Sequence, residues 1–190
     1  MGIGWTLLLS LGFLLFLGFV LYNRIIKNKF LVREAYSGIE VQLKKRHELI
    51  PNLVEVTKGY LGYEQKILKD VVELRSKSDL AQGINEKGSV ESGISQGLKS
   101  IFALVENYPD LKASHTFLAL HGSLVDVEDQ LQSARRYYNG AVRDYNTIVE
   151  SFPGLIVAGA FGFKPAEFFE IEYATERKAP EVNISAQEKQ

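Results

Sequence analysis

Residues 113–152 read ASHTFLALHGSLVDVEDQLQSARRYYNGAVRDYNTIVESF. Ala113, Phe117, Leu120, Leu124, Val127, Leu131, Ala134, Tyr138, Ala141, Tyr145, Ile148 and Phe152 recur there in alternating steps of three and four. A mean step of about 3.5 is the seam of helices packed nearly parallel in a bundle or coiled coil. A second series runs Tyr36, Ile39, Leu43, Arg46, Ile50, Leu53, Thr57, Tyr60, Glu64, Ile67, Val71, Leu74. Each series predicts about 60 Å of helix. A compact domain of this size is roughly 40 Å across. The expected domain is therefore an all-α rod.

The remaining segments follow from their punctuation. Pro51 is the expected bend or break in the first long helix, because proline lacks a donor and crowds the preceding turn. Pro109, followed by Asp110, reads as a helix start, and Pro153-Gly154 as the end of the last long helix. Ser76–Gly97 is rich in Ser, Gly, Asn, Glu and Lys, and its first part reads as a loop or frayed helix. A shorter helix is expected from Val90 to Glu106. The apolar run Gly154–Phe163 is too short to span a bilayer. It reads as a core cap, or as a patch facing membrane or another copy. Short loops favour an up-down bundle of four helices, whereas the similar seam lengths favour pairing of the two long helices, parallel or antiparallel.

Upstream of the seams, Met1–Tyr22 reads MGIGWTLLLSLGFLLFLGFVLY, with no charged side chain before Arg24. It matches the ~20 apolar residues needed to cross a ~30 Å hydrocarbon core. Its Leu, Ile, Phe and Val residues favour insertion by on the order of 4 to 8 kcal/mol. A cleaved secretory signal would want a basic start and small residues before the cut, and neither is present. The absence of cysteine excludes a lipoprotein signal. Arg24, Lys27, Lys29 and Arg33 all follow the run, which predicts a cytoplasmic C-terminal domain and an outward N-terminus. The expected organisation is an anchor at 1–23, a helical domain at 24–173 and a polar, disordered tail at 174–190.

A net charge of −1 gives no electrostatic basis for nucleic-acid binding. His47, His115 and His121 share no i, i+3 or i+4 spacing, so no helix face offers two imidazoles to a metal. There is no phosphate-binding glycine loop, nucleophile elbow or thiol, so neither an enzyme nor a cofactor is expected. Arg46 and Glu64 stand where the first seam expects apolar side chains. They are either buried with bonded partners, specifying register or assembly, or partly exposed. Arg135, Arg136, Tyr138 and Asn139 form a lipid-headgroup or partner site, or else Tyr138 is core while the arginines face solvent and pair with Glu128, Asp129 or Asp144.

Several blocks together resemble the LemA family. They are Arg46-x-x-Leu49-Ile50-Pro51-Asn52-Leu53-Val54, Glu106-Asn107-Tyr108-Pro109-Asp110-Leu111-Lys112-Ala113 and Ala134-Arg135-Arg136-Tyr137-Tyr138-Asn139, with Tyr145-Asn146, Phe152-Pro153 and Phe168-Phe169. The likeness runs from the anchor to about Tyr173. It implies a bacterial inner-membrane protein with an antiparallel bundle of long helices and no settled catalytic activity. Some relatives are linked to magnetosome membrane remodelling, others to envelope stress or membrane proteases. The expected function is thus a self-associating scaffold at the lipid bilayer, a homo-oligomer; the alternative is an adaptor docking a membrane protease or transporter. If Arg46 specifies assembly, Arg46→Leu should keep helicity and change oligomeric size; unchanged size and melting would reject that.

Overall fold

A computed structural model describes residues 2–62 and 64–169, and every regular element among them is helical. The helices are α1 (Gly2–Lys58), α2 (Gln65–Leu80), α3 (Ile84–Val105), α4 (Pro109–Lys112), α5 (His115–Glu150) and α6 (Gly154–Phe161). Residues 163–169 follow as an extended strap. The expected tail at 174–190, and the positions Ile171 and Tyr173, lie outside the described residues.

α1 continues from the apolar run straight into the domain. Its first part is bare: Trp5, Leu9, Phe13 and Phe16 are all exposed. Burial begins at Ile25 and then recurs at Ala35, Ile39, Leu43, Arg46, Ile50, Leu53 and Thr57. α5 answers with Phe117, Leu124, Leu131, Tyr138, Val142, Tyr145 and Val149. Ile25 clusters with Val149, Ala35 with Tyr138, and Ile50 with Leu124. Residue numbers rise along α1 as they fall along α5, so the two long helices are antiparallel.

α2 turns back along α1, and α3 runs out again beside it. The distal half is therefore an up-down-up-down bundle of α1, α2, α3 and α5 around Ile50, Leu53, Leu68, Ile94, Leu98 and Leu124. The near half is thinner. There α1 and α5 pair, with Ile84 at the start of α3 packed against them, and α6 and the strap close the layer.

Two sequence expectations change. Pro51 neither ends nor splits α1. It lies on the exposed side, where its lost hydrogen bond costs about 3 kcal/mol, while Ile50 and Leu53 stay buried beside it. The break falls instead at Gly59–Gly62, where two glycines disfavour helix. There the Thr57 carbonyl accepts from the Tyr60 and Leu61 amides at 3.0 and 3.1 Å, and Leu61 drops into the core. The expected loop after Ser76 shrinks to residues 81–83. Gly83 takes φ +98, and Glu86 Oε2 accepts from the Gln82 amide at 2.8 Å to start α3.

Gly154 starts α6 against the Ile148 carbonyl, where a Cβ would collide with backbone. Gly122 sits on the open face of α5 with nothing near it. Thermal unfolding should therefore show Gly154→Ala destabilising by about 1–3 kcal/mol and Gly122→Ala stabilising by roughly 0.5–1 kcal/mol. Equal shifts in one direction would contradict this packing.

Candidate functional site

Between the distal and near apolar layers lies a buried polar cluster drawn from four helices. α1 supplies Arg46 and His47, α2 Ser78 and Asp79, α3 Glu91 and Ser95, and α5 Glu128. Arg46 and Glu91 are both fully buried. Arg46 Nη1 donates to Glu128 Oε2 at 2.7 Å and to Ser95 Oγ at 2.8 Å. Its Nη2 bonds the Glu91 carboxylate and reaches the Glu91 carbonyl at 3.3 Å. The other Glu91 oxygen, Oε1, lies 2.9 Å from His47 Nε2 and accepts from the Ser78 hydroxyl. His47 Nδ1 faces Asp79 Oδ1 at 3.2 Å, and Ser95 Oγ donates to Glu128 Oε1 at 2.8 Å.

Burial pushes the Glu91 carboxyl upward. The His47 hydrogen bond, the Arg46 charge and the Ser78 hydroxyl outweigh it and hold Glu91 at about 2, below its ordinary 4.5. Most of the cluster's polar atoms bond one another, while Arg46 Nε is buried without a hydrogen-bond partner and Asp79 is largely exposed. The outer members His47 and Asp79 line a polar cavity of about 360 Å³ with Glu40, Glu48, Arg75 and Lys87, and the inner members join four helices at one level.

A second polar array ties the strap to α5. The pairs Tyr138-Asn139 and Tyr145-Asn146 are a heptad apart and share one face. Asn146 Nδ2 donates to the Ala166 carbonyl at 2.9 Å, and its Oδ1 accepts from the Ala166 amide at 2.8 Å. Asn139 repeats this on Phe169, at 3.2 and 2.8 Å. The hydroxyls of Tyr138 and Tyr145 donate to the carbonyls of Glu167 and Lys164 at 2.8 and 3.0 Å. Seven helical residues rise about 10.5 Å, and three extended residues span about 10 Å. That match lets two asparagines read the strap at Ala166 and Phe169. Pro165 biases Lys164 toward extended backbone. Burial, with Tyr36 and Glu167 nearby, pushes the Tyr138 hydroxyl up to about 12, so it stays a donor.

The other predicted residues are scattered. Arg135 is buried, not on solvent, and its guanidinium stands 5.1 Å from the centre of the Phe169 ring. Arg136 is exposed and donates to Ser133 Oγ at 3.0 Å. Glu64 leads into α2 and accepts from the Tyr108 hydroxyl at 3.1 Å. Pro109 is the first residue of α4, Asn107 is exposed just before it, and Pro51 faces outward from α1. The sequence alone did not single out Glu91, Ser95 or Glu128 as partners of Arg46, nor His47 and Ser78 as partners of Glu91. The heptad repeat of Tyr-Asn was the available signal for the strap clamp.

An up-down bundle joined by buried charge and led by a bare apolar helix defines an all-helical protein with one helix long and apolar enough to cross a membrane. The profile of the LemA family matches residues 35–184, so the chain belongs to the LemA family. The matched range starts after the apolar run and continues past Tyr173. The chain is 26% identical over 159 residues to Magnetosome protein MamQ of Magnetospirillum gryphiswaldense, covering 70% of this chain and 58% of that protein. It is 27% identical over 160 residues to Magnetosome protein MamQ 2 of Paramagnetospirillum magneticum, covering 70% and 59%. Protein LemA of Metamycoplasma hominis is 25% identical over 150 residues, covering 76% and 67%. The chain thus spans less than two thirds of the length of the MamQ relatives.

Arg46 is fully buried and bonds Glu91, Ser95 and Glu128 of the same bundle, so Arg46→Leu should register in stability. Leaving Glu91 buried without the guanidinium, with only His47 and Ser78 as partners, should cost about 3–5 kcal/mol in denaturant unfolding. Glu91 adds pH dependence of known sign. Its folded value is depressed, so its contribution is full above about 4.5 and is lost as pH falls toward about 2. An acid titration of stability should be steeper in that window for the native protein than for Glu91→Gln; parallel curves would contradict it. For the clamp, Asn146→Ala should speed hydrogen exchange at the Ala166 amide and leave the α2 and α3 amides unchanged.

Proposed function

We propose that the protein is a membrane-anchored helical scaffold that self-associates at the inner (cytoplasmic) membrane. The observation that carries this reading is α1 itself. An exposed apolar segment, with a window of mean hydropathy 2.2, continues without interruption into a bundle whose four helices share one buried ion network. About 19 residues of such a helix cover roughly 28 Å, close to a hydrocarbon core. A bilayer is the solvent that suits side chains as bare as Leu9 and Phe13. Any tilt of the anchor is carried into the rod, because α1 is one helix. The cations at 24, 27, 29 and 33 support a cytoplasmic bundle. Relatives named as magnetosome proteins support a role in organising membrane.

One observation favours an adaptor instead. The distal tip carries an apolar cleft of about 340 Å³ between α1 and α2, lined by Val54, Leu68 and Val72 with Lys58, Lys69 and Glu73 at its rim. A membrane protease or transporter could present a side chain to it.

Native mass of the full-length protein in mild detergent separates the two. The scaffold reading expects defined assemblies of several copies and self-crosslinks in membranes. A strictly monomeric species across concentration, crosslinked to one foreign membrane protein, would overturn it in favour of the adaptor.

A further inference from the structure

The antiparallel order of α1 and α5 brings the chain back to the foot of the anchor, where α6 begins. Residues 151–163 contain no charged side chain. Most of their apolar surface is bare: Phe152 is 80% exposed, Ile156 64% and Phe161 64%, with Leu155 beside them. Only Gly154 and Ala158 on α6 are buried. The run is therefore not a core cap.

Its height is fixed by contacts. The ring of Tyr22 lies 4.8 Å from that of Phe161 and 5.7 Å from that of Phe163. Ala158 joins Ile25, Tyr145 and Val149 in one cluster. Gly18, Leu21 and Tyr22 are partly covered, in contrast with the exposed residues before them, and Gly18, Tyr22 and Ile25 share one helix face. From Gly18 to Tyr22 is about 6 Å along the helix. The α6 end of the bundle thus overlaps the last turn of the uncharged segment and ends level with the first cations. Lys29 Nζ stands 5.7 Å over the Phe163 ring, and Arg24, Lys27, Arg33 and Lys164 flank the same level. No acid precedes Glu34, and none occurs between Glu150 and Glu167.

We infer that α6 with Phe152 is a second membrane contact, a short wedge that inserts into the leaflet from which the bundle emerges. This rests on the reading of α1 as an anchor. The occupant of the bare face is lipid: its apolar surface is continuous with that of the anchor, and the cations Arg24, Lys27, Lys29, Arg33 and Lys164 outnumber the acid Glu150 at the end of α5, suited to anionic headgroups. The geometry matches a helix lying about 5–10 Å deep at the boundary between headgroups and acyl chains. Two attachments, α1 crossing and α6 lying flat beside it, would fix the rotation and tilt of the rod, which one crossing helix leaves free.

The chain has no cysteine, so single substitutions Ile156→Cys, Leu14→Cys and Lys99→Cys can each carry one environment-sensitive fluorophore. The full-length protein is placed in vesicles of phosphatidylethanolamine and phosphatidylglycerol, with circular dichroism checking helicity. The label at Ile156→Cys should shift its emission to the blue, be quenched by a shallow acyl-chain quencher and resist aqueous iodide. The label at Leu14→Cys should respond to deep quenchers, and that at Lys99→Cys to iodide alone. Iodide quenching at Ile156→Cys with Leu14→Cys still lipid-embedded would overturn the wedge and leave the anchor standing. Shielding of Ile156→Cys from both quenchers would mean that protein covers α6, which also overturns it. Iodide quenching at both positions would remove the anchor reading and the wedge together.

Discussion

A guanidinium buried in the middle of a helical bundle constrains everything around it. Arg46 is the largest fully buried side chain in the described structure, and its bonds reach α3 and α5 directly and α2 through Glu91. Apolar layers lie on both sides of it along the rod. A slip of α1 by one turn, about 5.4 Å, would carry the charge into one of those layers, where an uncompensated ion costs several kcal/mol. Apolar seams tolerate such slips far better, because Leu against Ile is nearly as good one turn away. The charges therefore discriminate between registers that the hydrophobic pattern leaves close in energy.

That register has consequences at the far end of the molecule. With α1 and α5 aligned at Arg46 and Glu128, Tyr36 meets Tyr138 at 5.8 Å between ring centres, and Ile25 meets Val149. α6 and the strap then fall beside Tyr22. The strap is held by α5 side chains that act as surrogate backbone, each asparagine giving and taking one hydrogen bond. Its end is pinned by Phe169 under Arg135. The near half of the rod is thus closed by polar reading of an extended chain, where the distal half is closed by two more helices.

The all-helical rod was legible because 3.5-residue spacing is a tertiary signal written into local sequence. The breaks were less so. Pro51 obeys a local rule that tertiary burial of Ile50 and Leu53 overrides. The stretch from Ser76 looked like a loop because its inward side chains are Ser78, Glu91, Ser92 and Ser95. A helix that buries polar groups in a satisfied network shows no apolar stripe to read. The anomaly at Arg46 was visible for the same reason, as one charge in an otherwise apolar series. Its partners were not, since nothing local distinguishes Glu91 and Glu128 from the other acids of the chain. Arg135 was expected on solvent in one reading because its aromatic partner lies over thirty residues downstream.

The central claim is that Arg46 and its carboxylates act as one unit that sets the alignment of the helices. A double-mutant cycle on Arg46→Met and Glu91→Gln, by denaturant unfolding of the full-length protein in detergent, measures it most directly. The account predicts strong coupling, with the double variant recovering on the order of 1–3 kcal/mol relative to the sum of the singles. Additive effects would contradict it.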